Sequence, residues 1–340
     1  MFQPKRLSAL GSAFTLLVAI STVASCAAPN AGQTPATTTA TTTATSAATE
    51  TASPTETGAA SPTGTSAETP NASELCGPGS AINFDAGAFP ESPTIDNKWF
   101  SLKPGTVYTT TGKVVSAEGT TERIVTHTVT GLTKVIDGVK TLVMWDRDYA
   151  DGALVESELA FFAQDNSGTV WLFGEYPEEF ENDKFIGAPN TFIHGIDESQ
   201  AGIAMQGDPK MDTPAYVQAH APSVDFLDCG EVFKQNERVC VPTGCYEDVL
   251  VIDEHNPLEP AVGHQRKFYS AGTGLVKVTA EGGADQETLD LAKIEQLTDA
   301  KLAEVHKEAL KLDEHGYTVS KEVYAKTPRA EVTTKTVGGN

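Results

Sequence analysis

The sequence predicts a mainly β protein, built as a curved antiparallel sheet or half-barrel meander with one C-terminal α-helix. Segments rich in Val, Thr and Ile alternate with turn signals such as Asp137-Gly138 and Asp151-Gly152. Strands that follow one another through tight turns pair antiparallel. The predicted strands cover residues 106–115, 123–132, 139–149, 154–164, 170–173, 237–241, 246–253, 265–270, 274–280 and 287–294.

The predicted β domain spans residues 76–297, but one long stretch within it lacks strand signals. Residues 176–223 contain several Pro and Gly. They therefore predict a loop. Unstructured stretches of this length inside a domain are often functional.

Residues 298–316 predict the helix. Thr298 is a favourable N-cap residue, and apolar residues recur from Leu302 to Leu312 at steps of three and four. Gly316 has the residue type that commonly ends a helix. We expect this helix to pack on the sheet, because an apolar stripe of under two heptads is too short to favour a coiled-coil partner.

The N terminus has the layout of an export signal. Lys5-Arg6 precedes a mostly apolar run at residues 13–23, which is too short to span a bilayer because a span needs about 20 apolar residues. The run ends in Val23-Ala24-Ser25-Cys26, which resembles the bacterial lipoprotein signal. The resemblance implies a signal peptide over residues 1–25 and a lipid on Cys26, which anchors the chain at the extracytoplasmic face of the cell membrane. The alternative is a plain signal peptide with an incidental cysteine.

Two further segments differ from the β domain in composition. Residues 26–75 are nearly all Thr, Ala, Ser, Pro, Gly and Glu, so they have little to bury and predict a disordered stalk. Residues 317–340 predict a basic tail. The whole chain carries 24 basic and 46 acidic residues, a formal net charge of -22. A surface this acidic repels nucleic acid, so no nucleic-acid partner is expected.

The cysteines predict disulfides. Four remain if Cys26 carries lipid, and export favours disulfides over free thiols. Cys240 and Cys245 flank a four-residue turn, and paired strand positions lie within disulfide range. Their pairing leaves Cys76 to pair with Cys229. The alternative is a zinc site formed by Cys229, Cys240 and Cys245, although their spacing matches no usual zinc pattern.

No catalytic motif is present in the sequence. It has neither a Gly-x-Ser-x-Gly elbow nor a His-Glu-x-x-His pair, and no two of its seven histidines show metal-ligand spacing. His194 is the most suggestive histidine, since it lies beside Gly195 and near Asp197. Because catalytic triads are assembled in space, a hydrolase built around His194 stays an alternative. No cofactor is predicted.

Two groups of side chains are candidate ligand sites. Asp146, Asp148 and Asp151 surround a predicted hairpin and form a weak calcium candidate, since clustered carboxylates bind calcium. A solvated acidic loop is the alternative. The second group falls largely on neighbouring strands, where aromatic residues either fill a core or line an apolar groove. The candidate ligand-binding residues are Trp145, Phe161, Trp171, Phe173 and His194.

Several short stretches between residues 97 and 278 match a known pattern. They are Asn97-Lys98-Trp99-Phe100-Ser101-Leu102-Lys103-Pro104-Gly105-Thr106, Ala163-Gln164-Asp165 followed by Val170-Trp171, Val241-Pro242 followed by Tyr246-Glu247-Asp248-Val249-Leu250, and Tyr269 followed by Gly274-Leu275-Val276. In these stretches the chain resembles a family of poorly characterised secreted bacterial proteins and lipoproteins. The resemblance implies an all-β fold with a curved antiparallel sheet. It implies no activity.

These observations predict a membrane-anchored extracytoplasmic lipoprotein. Its β domain is expected to be a non-catalytic binding module for an apolar or lipid-like ligand, as the aromatic strands indicate. The expected partners are the membrane, through the lipid anchor, and an apolar small molecule or an envelope protein. The alternatives are an interaction or structural protein of the envelope, which the stalk and acidic surface favour, and a hydrolase.

Overall fold

The computed structural model describes residues 74–333. The predicted signal peptide, Cys26 and almost all of the predicted stalk lie outside the described residues. The described part of the chain is mainly β with one α-helix. Its elements are β1 (Ile95–Asp96), β2 (Ser101–Leu102), β3 (Thr106–Ser116), β4 (Gly119–Ile136), β5 (Val139–Ala150), β6 (Ala153–Gln164), β7 (Val170–Glu181), β8 (Lys184–Gly187), β9 (Phe192–Ile193), β10 (Gln200–Met205), β11 (Tyr216–Ala221), β12 (Phe226–Val241), β13 (Gly244–His255), β14 (His264–Ser270), β15 (Gly274–Glu281), β16 (Gln286–Gln296), α1 (Asp299–Val319) and β17 (Glu331–Val332).

Twelve strands form one closed antiparallel ring. Strands β3 to β7 and β10 to β16 each pair with their neighbours in chain order, and β16 also pairs with β3. The ring closes where β10 pairs with β7, with Gly202 opposite Leu172. The expected half-barrel is therefore corrected to a closed 12-stranded barrel. The short strands β8 and β9 pair with β7, β17 pairs with β4, and β1 and β2 form a separate pair.

Residues 176–223, predicted as a loop, contain the strands that close the barrel. Strand β7 continues to Glu181, and β10 and β11 lie wholly within this stretch. The sequence did not reveal β10 and β11 because Ala and Gly, which have low strand propensity, occupy many of their positions. Small residues are needed there, since a Cβ atom on Gly202 would lie 2.5 Å from the backbone oxygen of Val217.

One apolar face of the ring packs under α1 and the segment that precedes β1. The cluster that this packing buries contains Leu132, Ile136, Val139, Val143, Leu159, Phe161, Ala163, Trp171, Phe173, Tyr176, Ile193, Ala201, Ala309, Leu312 and Tyr324. Helix α1 continues three residues beyond the predicted end at Gly316, because this glycine is a packing position. A Cβ atom on Gly316 would lie 2.6 Å from the ring of Tyr324, which the supposed tail buries against the helix. Among residues 74–333, no helix is both long and apolar enough to cross a membrane.

Two disulfides brace the barrel. Cys240 and Cys245 lie opposite each other in the β12–β13 ladder, with Cα atoms 4.0 Å apart. The bond between Cys76 and Cys229 ties the segment before β1 to β12, across 153 residues of chain. Because the four sulfurs form these two disulfides, no thiolate of Cys229, Cys240 or Cys245 remains to bind zinc.

A buried ion pair fixes α1 and the chain after it to the barrel. Lys134 on β4 is fully buried, and its Nζ donates to Asp313 Oδ1 at 2.9 Å, to Tyr317 Oη at 2.9 Å and to the Pro328 carbonyl at 2.7 Å. Asp313 also accepts a hydrogen bond from Tyr324 Oη at 2.6 Å. Burial lowers the pKa of Lys134 to about 8, although the Asp313 carboxylate opposes this shift.

We predict that Asp313→Asn destabilises the protein strongly. The substitution leaves the Lys134 ammonium buried without a counter-charge, and breaking a buried pair in this way typically costs about 3–5 kcal/mol. Urea unfolding measures the change. Glu314→Gln is the matched control, because Glu314 is the next residue and pairs with Arg329 at the surface, where such pairs contribute about 0–1 kcal/mol. Equal effects of the two substitutions would contradict the assigned role of Asp313.

Candidate functional site

The aromatic candidates lie in a packed core. Phe161, Trp171 and Phe173 are buried in the cluster beneath α1 and the N-terminal segment, and Trp145 packs against that cluster. Trp171 also donates from Nε1 to Asp165 Oδ2 at 2.9 Å. A cleft beside Trp171 has a volume of about 120 Å³. This is less than the ~300–1,000 Å³ of ordinary ligand pockets. Phe161, Trp171 and Phe173 therefore contribute to the buried core, and the cleft beside Trp171 is smaller than an ordinary ligand pocket.

His194 is held by the backbone and by aromatic rings. Its Nδ1 accepts a hydrogen bond from the Ala201 amide at 3.0 Å, and its ring lies against those of Phe84 and Phe173. Its Nε2 lies 3.5 Å from Asp137 Oδ2. Burial lowers the pKa of His194. Within residues 74–333, His194 Nε2 has no hydrogen-bond partner.

The three calcium candidates do not converge on one point. Asp146 Oδ1 lies 2.8 Å from His127 Nδ1, and Asp148 pairs with Arg123. Asp151, in the β5–β6 turn, accepts a hydrogen bond from a backbone amide on β4 at 3.0 Å. Each carboxylate thus has a different partner, whereas calcium needs several oxygens around one centre.

The structure instead assembles a polar cluster on the inward face of the barrel. Along β5, Val143 and Trp145 face the apolar cluster under α1, so strand alternation turns Asp146 and Asp148 inward. Cross-strand pairing extends this face around the ring, because directly opposed residues share a face. We define the interior polar cluster as Arg123, Asp148, Tyr216, Gln218, Asp228, Glu254, Gln265, Lys267 and Glu287.

Ion pairs and amide hydrogen bonds connect the centre of the interior polar cluster. Lys267 and Glu254 form an ion pair in which each residue is 1% exposed. Gln218 donates from Nε2 to Glu254 Oε1 at 2.9 Å. Gln265 donates from Nε2 to Glu287 Oε2, also at 2.9 Å. These contacts join strands β11, β13, β14 and β16 across the barrel interior.

The cluster lies near one end of the barrel, close to its hairpin turns. Glu254 and Lys267 flank the β13–β14 turn, and Glu287 is the second residue of β16. Arg123 and Asp148 pair near the β3–β4 and β5–β6 turns, with side chains that are 14% and 17% exposed. Solvent therefore reaches the cluster most readily at the Arg123–Asp148 pair.

Two carboxyl groups in the cluster titrate near neutral pH. Burial raises the pKa of Asp228 to about 7, and the neighbouring Glu254 charge adds to the shift. Burial also raises the pKa of Glu287 to about 7, against the opposing charge of Arg123. A low-dielectric interior disfavours the charged carboxylate, which explains both directions. Near neutrality, each group is able to donate or accept a hydrogen bond.

Three buried oxygens of the cluster have no hydrogen-bond partner among the described residues. They are Tyr216 Oη, Gln218 Oε1 and Gln265 Oε1, on residues that are 4%, 0% and 7% exposed. An unsatisfied buried polar group costs about 1–3 kcal/mol, so such atoms are normally paired with ordered water or a polar ligand. The two amide oxygens are acceptors only. The site therefore favours a ligand that donates hydrogen bonds.

The sequence contains only a weak signal for this cluster. Glu254 lies two residues after the apolar run that ends at Ile252, and Lys267 directly precedes Phe268-Tyr269. A charged residue inside an otherwise apolar strand is a candidate for a buried pair. The partner could not be inferred, because the pairing register across several hairpins decides which charges meet.

No protein-family model and no curated protein matches the chain. One solved structure with some similarity is a Bacteroides fragilis protein, provisionally described as an exported protein with a YmcC-like fold. It is 15% identical, with a TM-score of 0.34, over 58% of this chain and 98% of that one. The second, from Parabacteroides distasonis, is provisionally described as a lipoprotein; it is 14% identical, with a TM-score of 0.31, over 58% and 97%. TM-scores this low support no conclusion about fold or function.

We predict that Glu287→Gln removes a pH-dependent loss of stability. The folded-state pKa of Glu287 is raised from 4.5 to about 7, so the folded state keeps a proton that the unfolded state releases. This favours folding at acid pH, and the advantage is lost as the pH rises from about 4.5 to about 7. The free energy of unfolding of the wild type should therefore fall relative to that of Glu287→Gln across this window, and the difference should be constant above it.

The measurement is urea unfolding of both proteins at several pH values. The difference between them is diagnostic because burial lowers the pKa of His194, His220 and His255, which raises stability with pH and masks the trend in the wild type alone. Glu259→Gln, at an exposed position, is the control and should show no such trend. A difference between wild type and Glu287→Gln that is constant from pH 4.5 to 7 would refute the prediction.

Proposed function

We propose that the protein is an exported, lipid-anchored binding module of the cell envelope, without a catalytic role. Its binding site is the interior polar cluster, and its ligand is a small polar molecule rich in hydrogen-bond donors, such as an organic amine. The observation that carries the proposal is the set of three buried oxygens that lack a protein partner, at Tyr216, Gln218 and Gln265.

The charges of the cluster support an amine. Its carboxyl groups belong to Asp148, Asp228, Glu254 and Glu287, and its cations belong to Arg123 and Lys267. Acidic groups thus outnumber basic ones. A positively charged donor lowers the cost of keeping these carboxylates ionised in a buried site. Amide oxygens that accept but cannot donate add to the same preference.

The geometry favours this ligand class over the apolar or lipid-like ligand that the aromatic strands indicated. Phe161, Trp171 and Phe173 are covered by α1 and the N-terminal segment, and the cleft beside Trp171 is small. The surroundings of His194 also do not favour a hydrolase. Its Nδ1 is already bonded to the Ala201 amide.

The export part of the proposal rests on the N-terminal sequence and on the disulfides. Lys5-Arg6, the apolar run and Cys26 have the order of a lipoprotein signal. Both cysteine pairs of the β domain are oxidised, at Cys76–Cys229 and Cys240–Cys245, which is typical of exported proteins.

We predict that Cys26→Ser releases the protein from the membrane. Without the thiol there is no atom to carry the lipid, so the variant should move from the membrane fraction to the soluble extracytoplasmic fraction of an exporting host. Cell fractionation and the intact mass of the mature chain measure this. Ser25→Ala is the control, since it leaves the thiol in place. A Cys26→Ser variant that stays with the membrane would contradict lipid anchoring.

We predict that the full chain, purified under mild conditions from an exporting host, carries a small basic molecule. Native mass spectrometry should show an added mass that is lost on denaturation. Gln218→Met and Gln265→Met should each reduce the occupied fraction several-fold, because they remove an unpaired acceptor at nearly constant volume. Gln286→Met is the matched control, since this exposed neighbour of Glu287 points away from the cluster.

The other outcomes are equally informative. A bound mass that matches a fatty or lipid-like molecule would instead support an apolar ligand and contradict the amine. A clean mass for the protein alone, unchanged by added spermidine as a test amine, would favour a structural or protein-interaction role in the envelope.

A further inference from the structure

The outer face of the β13–β14 hairpin brings two histidines and an aspartate together. His255 and His264 form the last opposed pair before the turn, and their rings stack with centroids 4.8 Å apart at an interplanar angle of 18°. Asp253 Oδ1 lies 2.5 Å from His264 Nδ1. One potential ligand atom from each of the three residues lies within 4.8 Å of the others.

This group is separate from the interior polar cluster, although both use the same two strands. Glu254 points inward, so strand alternation places Asp253 and His255 on the outside. No sequence motif indicates this group, because His255 and His264 become neighbours only through the hairpin register. Neither residue belongs to a helical pair or a recognised metal motif.

The side chains combine a buried carboxylate with a partly exposed imidazole. Asp253 is 4% exposed, whereas the side chain of His264 is 48% exposed. His255 Nδ1 is shielded from solvent and accepts or donates no hydrogen bond within residues 74–333. Glu231 lies directly opposite Asp253 on β12 and is exposed, so it is placed to supply a fourth donor.

We propose that Asp253, His255 and His264 form a binding site for a divalent transition metal ion, with Zn²⁺ as the best-matched ion. Two imidazoles and a carboxylate are the ligand types that zinc prefers, whereas calcium and magnesium prefer oxygen alone. Zinc–nitrogen bonds of about 2.0–2.1 Å require tetrahedral ligand atoms to lie about 3.3 Å apart. The three potential ligand atoms lie within 4.8 Å of one another, so small side-chain adjustments separate the present arrangement from that range.

The Arg266 guanidinium lies close to the site, but other contacts fix its position. Arg266 Nε is 3.4 Å from Asp253 Oδ2. The same guanidinium stacks on the Phe233 ring at 3.8 Å and pairs with Glu281 at 2.8 Å. It therefore occupies one side of the Asp253 carboxylate and leaves Oδ1 facing the histidines. Carboxylates in this position also orient metal-binding imidazoles.

The test is titration of the full chain, stripped of metal with a chelator, with Zn²⁺ in a calorimeter. We expect one saturable zinc site per chain. His264→Ala and His255→Ala should each weaken it at least tenfold, because each removes a nitrogen ligand. Co²⁺ should give visible d–d absorption bands typical of a four-coordinate site, and these bands should be lost in the same variants. Calcium should not compete.

His315→Ala is the matched control. Its side chain is 45% exposed, and its Nδ1 also lies beside a carboxylate, at 2.6 Å from Glu178 Oε1, but within residues 74–333 it belongs to no group of three potential metal ligands. Its loss should leave zinc affinity unchanged. The proposal is overturned if no saturable site appears, if His264→Ala binds as tightly as the wild type, or if calcium displaces zinc. Unfolding midpoints without metal check that the variants are folded. These outcomes are independent of ligand binding at the interior polar cluster.

Discussion

The pairing of β7 with β10 is the constraint from which the rest of the architecture follows. A sheet with two free edges exposes unpaired backbone groups and tends to pair with other chains. Here Trp171 and Leu172 pair with Ile203 and Gly202, so the two ends of the sheet meet. Once the ring is closed, every strand has an inward and an outward face. The two-residue period of a strand then sends consecutive side chains into different environments.

Closure explains why charges are buried inside this protein. Toward the end of the barrel away from the interior polar cluster, Val249, Val276 and Leu291 pack together. Toward the other end the inward positions carry Glu254 and Lys267. Apolar packing beside these charges excludes water, which strengthens each ion pair and also penalises any unpaired carboxylate. The raised pKa values in the interior polar cluster are a direct result. The outward apolar face needs its own cover, which α1 supplies.

The sequence was informative where local chemistry decides structure. Segments rich in Val, Ile and Thr, separated by turn signals, predicted the mainly β class and most of the long strands, and helical spacing predicted α1. It was less informative where tertiary contact decides. Strands β10 and β11 are too rich in Ala and Gly to be recognised, and Gly316 is a packing position with the residue type of a helix end. The interior polar cluster was also hidden, because bulges such as the one at Asp248, with φ of 54°, shift which face each later residue occupies.

The β13–β14 hairpin shows how one pair of strands is able to carry two unrelated chemistries. Glu254 faces the interior amides and Lys267, while its neighbours Asp253 and His255 face His264 outside. The backbone separates the two sites by a single peptide unit on each side, so they share strand position but no ligand atoms. Substitutions at the exposed His264 therefore leave the interior contacts in place. Removing the inward Glu254 would instead leave Lys267 buried without its ion-pair partner. A buried cation without a partner strongly destabilises the folded state.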